Sequence, residues 1–79
     1  MGSVMKKELV SVKDLNGCWS NILCISCSEG KNISSSDDMI ENIRECQPEL
    51  FGCQFVVEDE EIYVLIDEMT QINPGENCK

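Results

Sequence analysis

Cys24-Ile25-Ser26-Cys27 is the one short pattern in this chain with chemistry attached to it. Two thiols three residues apart serve redox exchange when a helix start lowers the pKa of the first. Together with Cys46 and Cys53 they spell C-x2-C-x18-C-x6-C, four sulfurs that zinc takes tetrahedrally if a knuckle turn presents them. The local sequence meets neither condition. The pair lies in an apolar, strand-like run, where residues three apart face opposite sides of a sheet, and it lacks the glycine or polar residues of a knuckle.

The six cysteines, Cys18, Cys24, Cys27, Cys46, Cys53 and Cys78, are even in number, as in disulfide scaffolds. Such scaffolds show little regular patterning, because their bridges replace a core. Here Cys24 and Cys27 fall in the strand-like run and Cys46 on the apolar side of a helical pattern. The expectation is reduced, mostly buried thiols that pack as small hydrophobes, with disulfides as the alternative and metal third. No metal and no cofactor is expected.

Carboxylates are the second reactive group. Glu58-Asp59-Glu60-Glu61 places four in succession. A calcium loop alternates its oxygen ligands around a glycine, and this run does not. A catalytic acid pair needs a neighbour that splits two pKa values, and none is visible. The run belongs instead to a wider asymmetry. Between Asp37 and Cys78 twelve acids face one base, Arg44, while the rest of the chain has a small surplus of lysine and the whole carries −9. Such a field favours a basic protein surface and repels nucleic acid and anionic membrane. A plain solvated surface is the alternative for any acidic turn.

Those residues need elements to hold them. Glu8–Lys13 reads as a first strand, Asp14-Leu15-Asn16-Gly17 as a tight turn, and Cys18–Ser28 as a second strand with Trp19, Leu23, Ile25 and Cys27 on one face. Ser35 or Ser36 is placed to cap a helix running to Cys46, with Asp37 and Asp38 in its first turn and Pro48 stopping it. Met39, Ile40, Ile43 and Cys46 form its apolar stripe, which leaves Asp38, Glu41 and Glu45 pointing away. Leu50 and Phe51 are expected to fold back over the core. Cys53–Val57 reads as a third strand and Ile62–Ile66 as a fourth, apolar on both faces and so central.

The fold expected is α+β, in the order ββαββ: a four-stranded sheet with one helix packed on one face, in a β-grasp-like arrangement or an antiparallel meander. In the first of these the first and last strands lie side by side. Residues 1–7 read as an N-terminal extension of cloning origin, 8–68 as one compact domain and 69–79 as a flexible tail. The longest apolar run is too short to cross a membrane, and no secretory signal is visible, which points to the cytoplasm.

With no histidine, no glycine-rich phosphate loop and no nucleophile beside a base, an enzyme is not expected. Nor is direct nucleic-acid binding, since clustered lysine and arginine are missing. The functional expectation is a small acidic binding or inhibitory protein. It would occupy a basic surface of a partner such as a nuclease or nucleic-acid-binding complex, as immunity proteins, antitoxins and phage-encoded inhibitors do. The partner-binding residues would be Glu58, Asp59, Glu60 and Glu61 on the hairpin and Asp37, Asp38, Glu41 and Glu45 on the helix. A secreted disulfide-stapled effector or toxin is the alternative reading, and a small zinc or redox module the third. Trp19 and Tyr63 are expected in or at the rim of the core, with a surface anchor as the other role.

Overall fold

The computed structural model describes residues 4–69. Strand β1 (Met5–Lys13) is followed by β2 (Trp19–Asn21), helix α1 (Ser36–Cys46), β3 (Gln54–Glu58) and β4 (Glu61–Asp67). Short 3-10 turns lie at Ile25–Cys27 and Pro48–Leu50. The sheet order is β2-β1-β4-β3, and all three pairings are antiparallel. This is an α+β fold with a single α-helix among the described residues. The first and last strands lie side by side at the centre, so the sequential order of a meander is not adopted.

The inner face of the sheet makes the core. Ile62, Val64 and Ile66 alternate inward along β4, Val10 comes from β1 and Trp19 from β2. Met39 and Ile43 of α1 and Leu50 of the second 3-10 turn close over them. Trp19 is thus a core residue, 5% exposed, with the ammonium of Lys13 5.7 Å from its ring. A register shift between Leu9 and Ser11 marks a β-bulge, and Val10 and Ser11, adjacent in sequence, are both buried there. Strand β1 is longer than the pattern implied. Met5, Lys6 and Lys7 pair with Asp67, Ile66 and Leu65, so this stretch is part of the sheet.

Helix α1 begins and ends where its signals place it. The backbone N–H of Asp38 donates to the Ser35 hydroxyl at 3.4 Å, and Asp37 and Asp38 face the positive end of the macrodipole. Gln47 leaves helical geometry immediately before Pro48, because a residue preceding proline is pushed out of the α region. No helix among the described residues is long and apolar enough to cross a membrane.

Three further expectations are corrected. The second strand stops at Asn21 instead of reaching Ser28. The Asn21 Oδ1 accepts from the backbone N–H groups of Leu23 and Cys24, at 2.9 and 3.1 Å, which turns the chain out of the sheet. Its Nδ2 donates to Asn42 Oδ1 at 3.0 Å and its backbone N–H donates to the Ser28 hydroxyl at 3.1 Å. A buried amide with these partners overrides the β propensity of the residues after it. Secondly, Phe51 does not fold over the core. It is 66% exposed beside the Arg44 guanidinium, while its neighbour Leu50 is fully buried.

The third correction concerns the thiols. Cys27 and Cys46 form a disulfide, and Cys24 is disulfide-bonded as well. Cys18 and Cys53 are free and half-buried. The cause follows from the end of β2: Cys27 sits on a 3-10 turn and not in the sheet. Asn42 Nδ2 donates to the Cys27 carbonyl at 3.0 Å, and Cys46 is one turn further along the same side of α1. Cys78 and nearly all of the expected C-terminal tail lie outside the described residues.

Candidate protein-interaction surface

The β3–β4 hairpin closes through two residues, Asp59 and Glu60, after the pair Glu58 and Glu61. Both take positive φ, 46° and 63°, as a two-residue turn matched to strand twist requires. Asn-Gly is the usual choice for such a turn, because left-handed backbone costs side-chain-bearing residues about 1–2 kcal/mol. The tip is anchored by the backbone N–H of Lys13, which donates to the Glu60 carbonyl at 3.0 Å.

The four carboxylates of this run have different environments. The Lys7 ammonium meets Glu58 Oε1 at 2.8 Å in an exposed ion pair. Tyr63 donates its hydroxyl to Glu61 Oε1 at 2.6 Å. That bond holds the phenol in its protonated form, and with partial desolvation and the charges of Glu61, Glu58 and Asp59 it raises the Tyr63 pKa above 10.0. The Lys7 ammonium lies 4.8 Å from the centre of the same ring. The side chains of Asp59 and Glu60 project into solvent with no partner among the described residues.

On the helix, Asp37, Asp38 and Glu41 share a groove of about 550 Å³ with Ile40, Arg44, Gln54 and Phe55. It runs between α1 and β3. Arg44 stands 3.7 Å from Glu41, with its guanidinium 5.2 Å from the Phe55 ring. Glu45 is exposed but does not line this groove, and neither do the hairpin carboxylates. The eight expected contact residues therefore divide into a groove of three, a tip of four and Glu45 apart.

Lys7 and Arg44 were not expected at this surface, and Tyr63 only in its alternative role as a surface anchor. Tyr63 belongs to the hairpin itself, on β4, and Lys7 reaches it through the β1–β4 register, which pairs Leu9 with Tyr63 and Lys7 with Leu65. The alternation of β1 offered a partial signal, but it could not say which strand lies alongside. For metal, no group of three or more His, Cys, Asp or Glu side chains able to hold an ion occurs among the described residues. The sulfurs of Cys24 and Cys27 are committed to disulfides and are not available as thiolates, so the zinc spacing is not realised. Compared with known proteins, the chain matches no family model, no curated protein and no solved structure.

Proposed function

We propose that this chain is a small, disulfide-stapled acidic protein that binds and inhibits by occupying a basic surface of another protein. A nuclease or nucleic-acid-binding complex has the surface chemistry such a ligand fits, with carboxylates standing in for phosphates. The carrying observation is the hairpin tip. Asp59 and Glu60 hold left-handed backbone that glycine would adopt more cheaply, and their carboxylates face solvent on a rigid turn. Charge maintained at a conformational cost favours a contact role over a merely solubilising one.

The Cys27–Cys46 bridge bears on the compartment. Disulfides persist where the surroundings are oxidising, so this proposal favours an extracellular or similar location over the cytoplasm. It thereby joins the acidic-binder reading to that of a stapled effector.

The test is capture of partners from the native source on immobilised oxidised protein, at low and high salt. A second column carries the variant with Glu58, Asp59, Glu60 and Glu61 all changed to lysine. A basic nuclease or nucleic-acid-binding protein should be retained by the wild type at low salt and released as salt rises. The reversed variant, verified as folded by circular dichroism, should not retain it. Equal retention on both columns, indifferent to salt, would overturn the proposal.

A further inference from the structure

The two edges of the sheet are finished differently. At the β2 edge the outward N–H of Trp19 donates to the Ile33 carbonyl at 2.7 Å, and that of Asn21 to the Ser28 hydroxyl at 3.1 Å. That edge is closed by the chain itself. At the β3 edge the only ladder among the described residues is the one to β4. The ladder alternates from its closing pair, Glu58 with Glu61, so Phe55 and Val57 turn their N–H and C=O groups away from β4.

Among the described residues, little protects Gln54–Glu58 as an edge is usually protected. It contains no lysine or proline, its register runs without a bulge, and Val57 is 46% exposed. Along this open edge lies the groove with Asp37, Asp38 and Glu41 on its helix side and Ile40 and Phe55 as its apolar lining. A strand added to β3 would send alternate side chains to that side. Lysine or arginine suits those positions, since the stem covers Ile40 and Phe55 while the charged head reaches the carboxylates. The other set of side chains would lie beside Val56, where β-branched residues pack well.

We infer that the β3 edge takes an extended basic segment of a partner protein as a fifth strand, with its cationic side chains in the α1–β3 groove. The inference rests on the acidic-binder reading and specifies the conformation of what is bound. Charge decides against a second copy as occupant. Two β3 edges side by side would bring together Glu58 and the three groove carboxylates of each chain, with Arg44 as the single opposing charge in the groove.

The probe is an eight-residue peptide of alternating lysine and valine, titrated into the oxidised, isotope-labelled chain. The amides of Phe55 and Val57 should shift and gain protection from hydrogen exchange. Methylating the peptide's backbone nitrogens preserves its charge but removes its donors, and should weaken binding by about tenfold or more. Val57→Pro removes an outward N–H at a position where an edge strand tolerates proline, and should do the same. If that variant fails to fold, the methylated peptide makes the comparison on the wild-type chain. Equal binding of both peptides would overturn strand addition while leaving the acidic-binder reading standing. No binding of either would overturn the inference, and the hairpin charge reversal tests the wider reading separately. Protection of Phe55 and Val57 in a free dimer would overturn it in favour of a second copy.

Discussion

The side-chain amide of Asn21 donates to the Oδ1 of Asn42 across 3.0 Å of buried interior, joining the end of β2 to the middle of α1. Asn42 in turn donates to the Cys27 carbonyl at 3.0 Å, so one helix residue secures both the strand end and the turn that carries the disulfide. Replacing Asn42 by alanine leaves a buried donor on Asn21 and a half-buried acceptor at Cys27 without their partner. The expected loss is about 2–4 kcal/mol, measured by urea unfolding. A loss within about 0.5 kcal/mol, typical of surface positions, would show that the network is not buried as described.

The Cys27–Cys46 bridge closes a loop with a sequence separation of 19. Chain-entropy arguments give such a bridge about 3 kcal/mol of stability. The double variant Cys27→Ala/Cys46→Ala should melt correspondingly lower than the oxidised wild type. Intact mass under native conditions should rise on reduction, and an unchanged mass would return these residues to the free-thiol reading.

Glu60 gives a prediction of opposite sign. At φ 63° its backbone is strained, and Glu60→Gly should stabilise the chain by about 0.5–1 kcal/mol after glycine's greater unfolded-state entropy is set against the relief. The same change removes one of the two unpartnered tip carboxylates. A more stable variant with weaker partner binding would show that stability and contact compete at this turn. A destabilised variant would show that the tip is not left-handed.

Tyr63 reports on the same hairpin through pH. Its folded pKa is raised above 10.0, first by the hydrogen bond to Glu61, so the native state retains the proton to higher pH than the unfolded chain. The associated stability is complete below about pH 10 and is lost as pH rises through the folded pKa. Spectrophotometric titration of the phenol should give a midpoint above that of a model tyrosine. Glu61→Gln should bring it down by removing the charge and weakening the bond. An unchanged midpoint in that variant would mean Glu61 is not the partner.

Ile43 tests the helix face. It is fully buried, and Ile43→Ala should cost about 2–5 kcal/mol in a denaturant titration. A cost below about 1 kcal/mol would place another face of α1 against the sheet.

Helix α1 was legible in the sequence because its signals are local. Ser35 at the cap, Asp37 and Asp38 in the first turn, the Met39–Ile43 stripe and Pro48 after the end each act within a few residues. The central place of β4 was legible for a related reason, since a strand apolar on both faces must be flanked. The acidity of the second half also follows from composition alone. The length of β2, the pairing of Cys27 with Cys46 and the division of the carboxylates between groove and tip did not follow. Asn21 ends its strand because Asn42, 21 residues away, satisfies its amide, and no window of local sequence contains both. Cys27 meets Cys46 because that turn and the packed helix place the two side by side. Lys7 finds Glu58, and β3 pairs with β4 alone among the described residues, because of a strand order that depends on how the inner faces bury Val10, Ile62, Val64 and Ile66 together. Local pattern specifies which segments form and which faces turn inward; long-range burial and hydrogen bonding decide which segments meet.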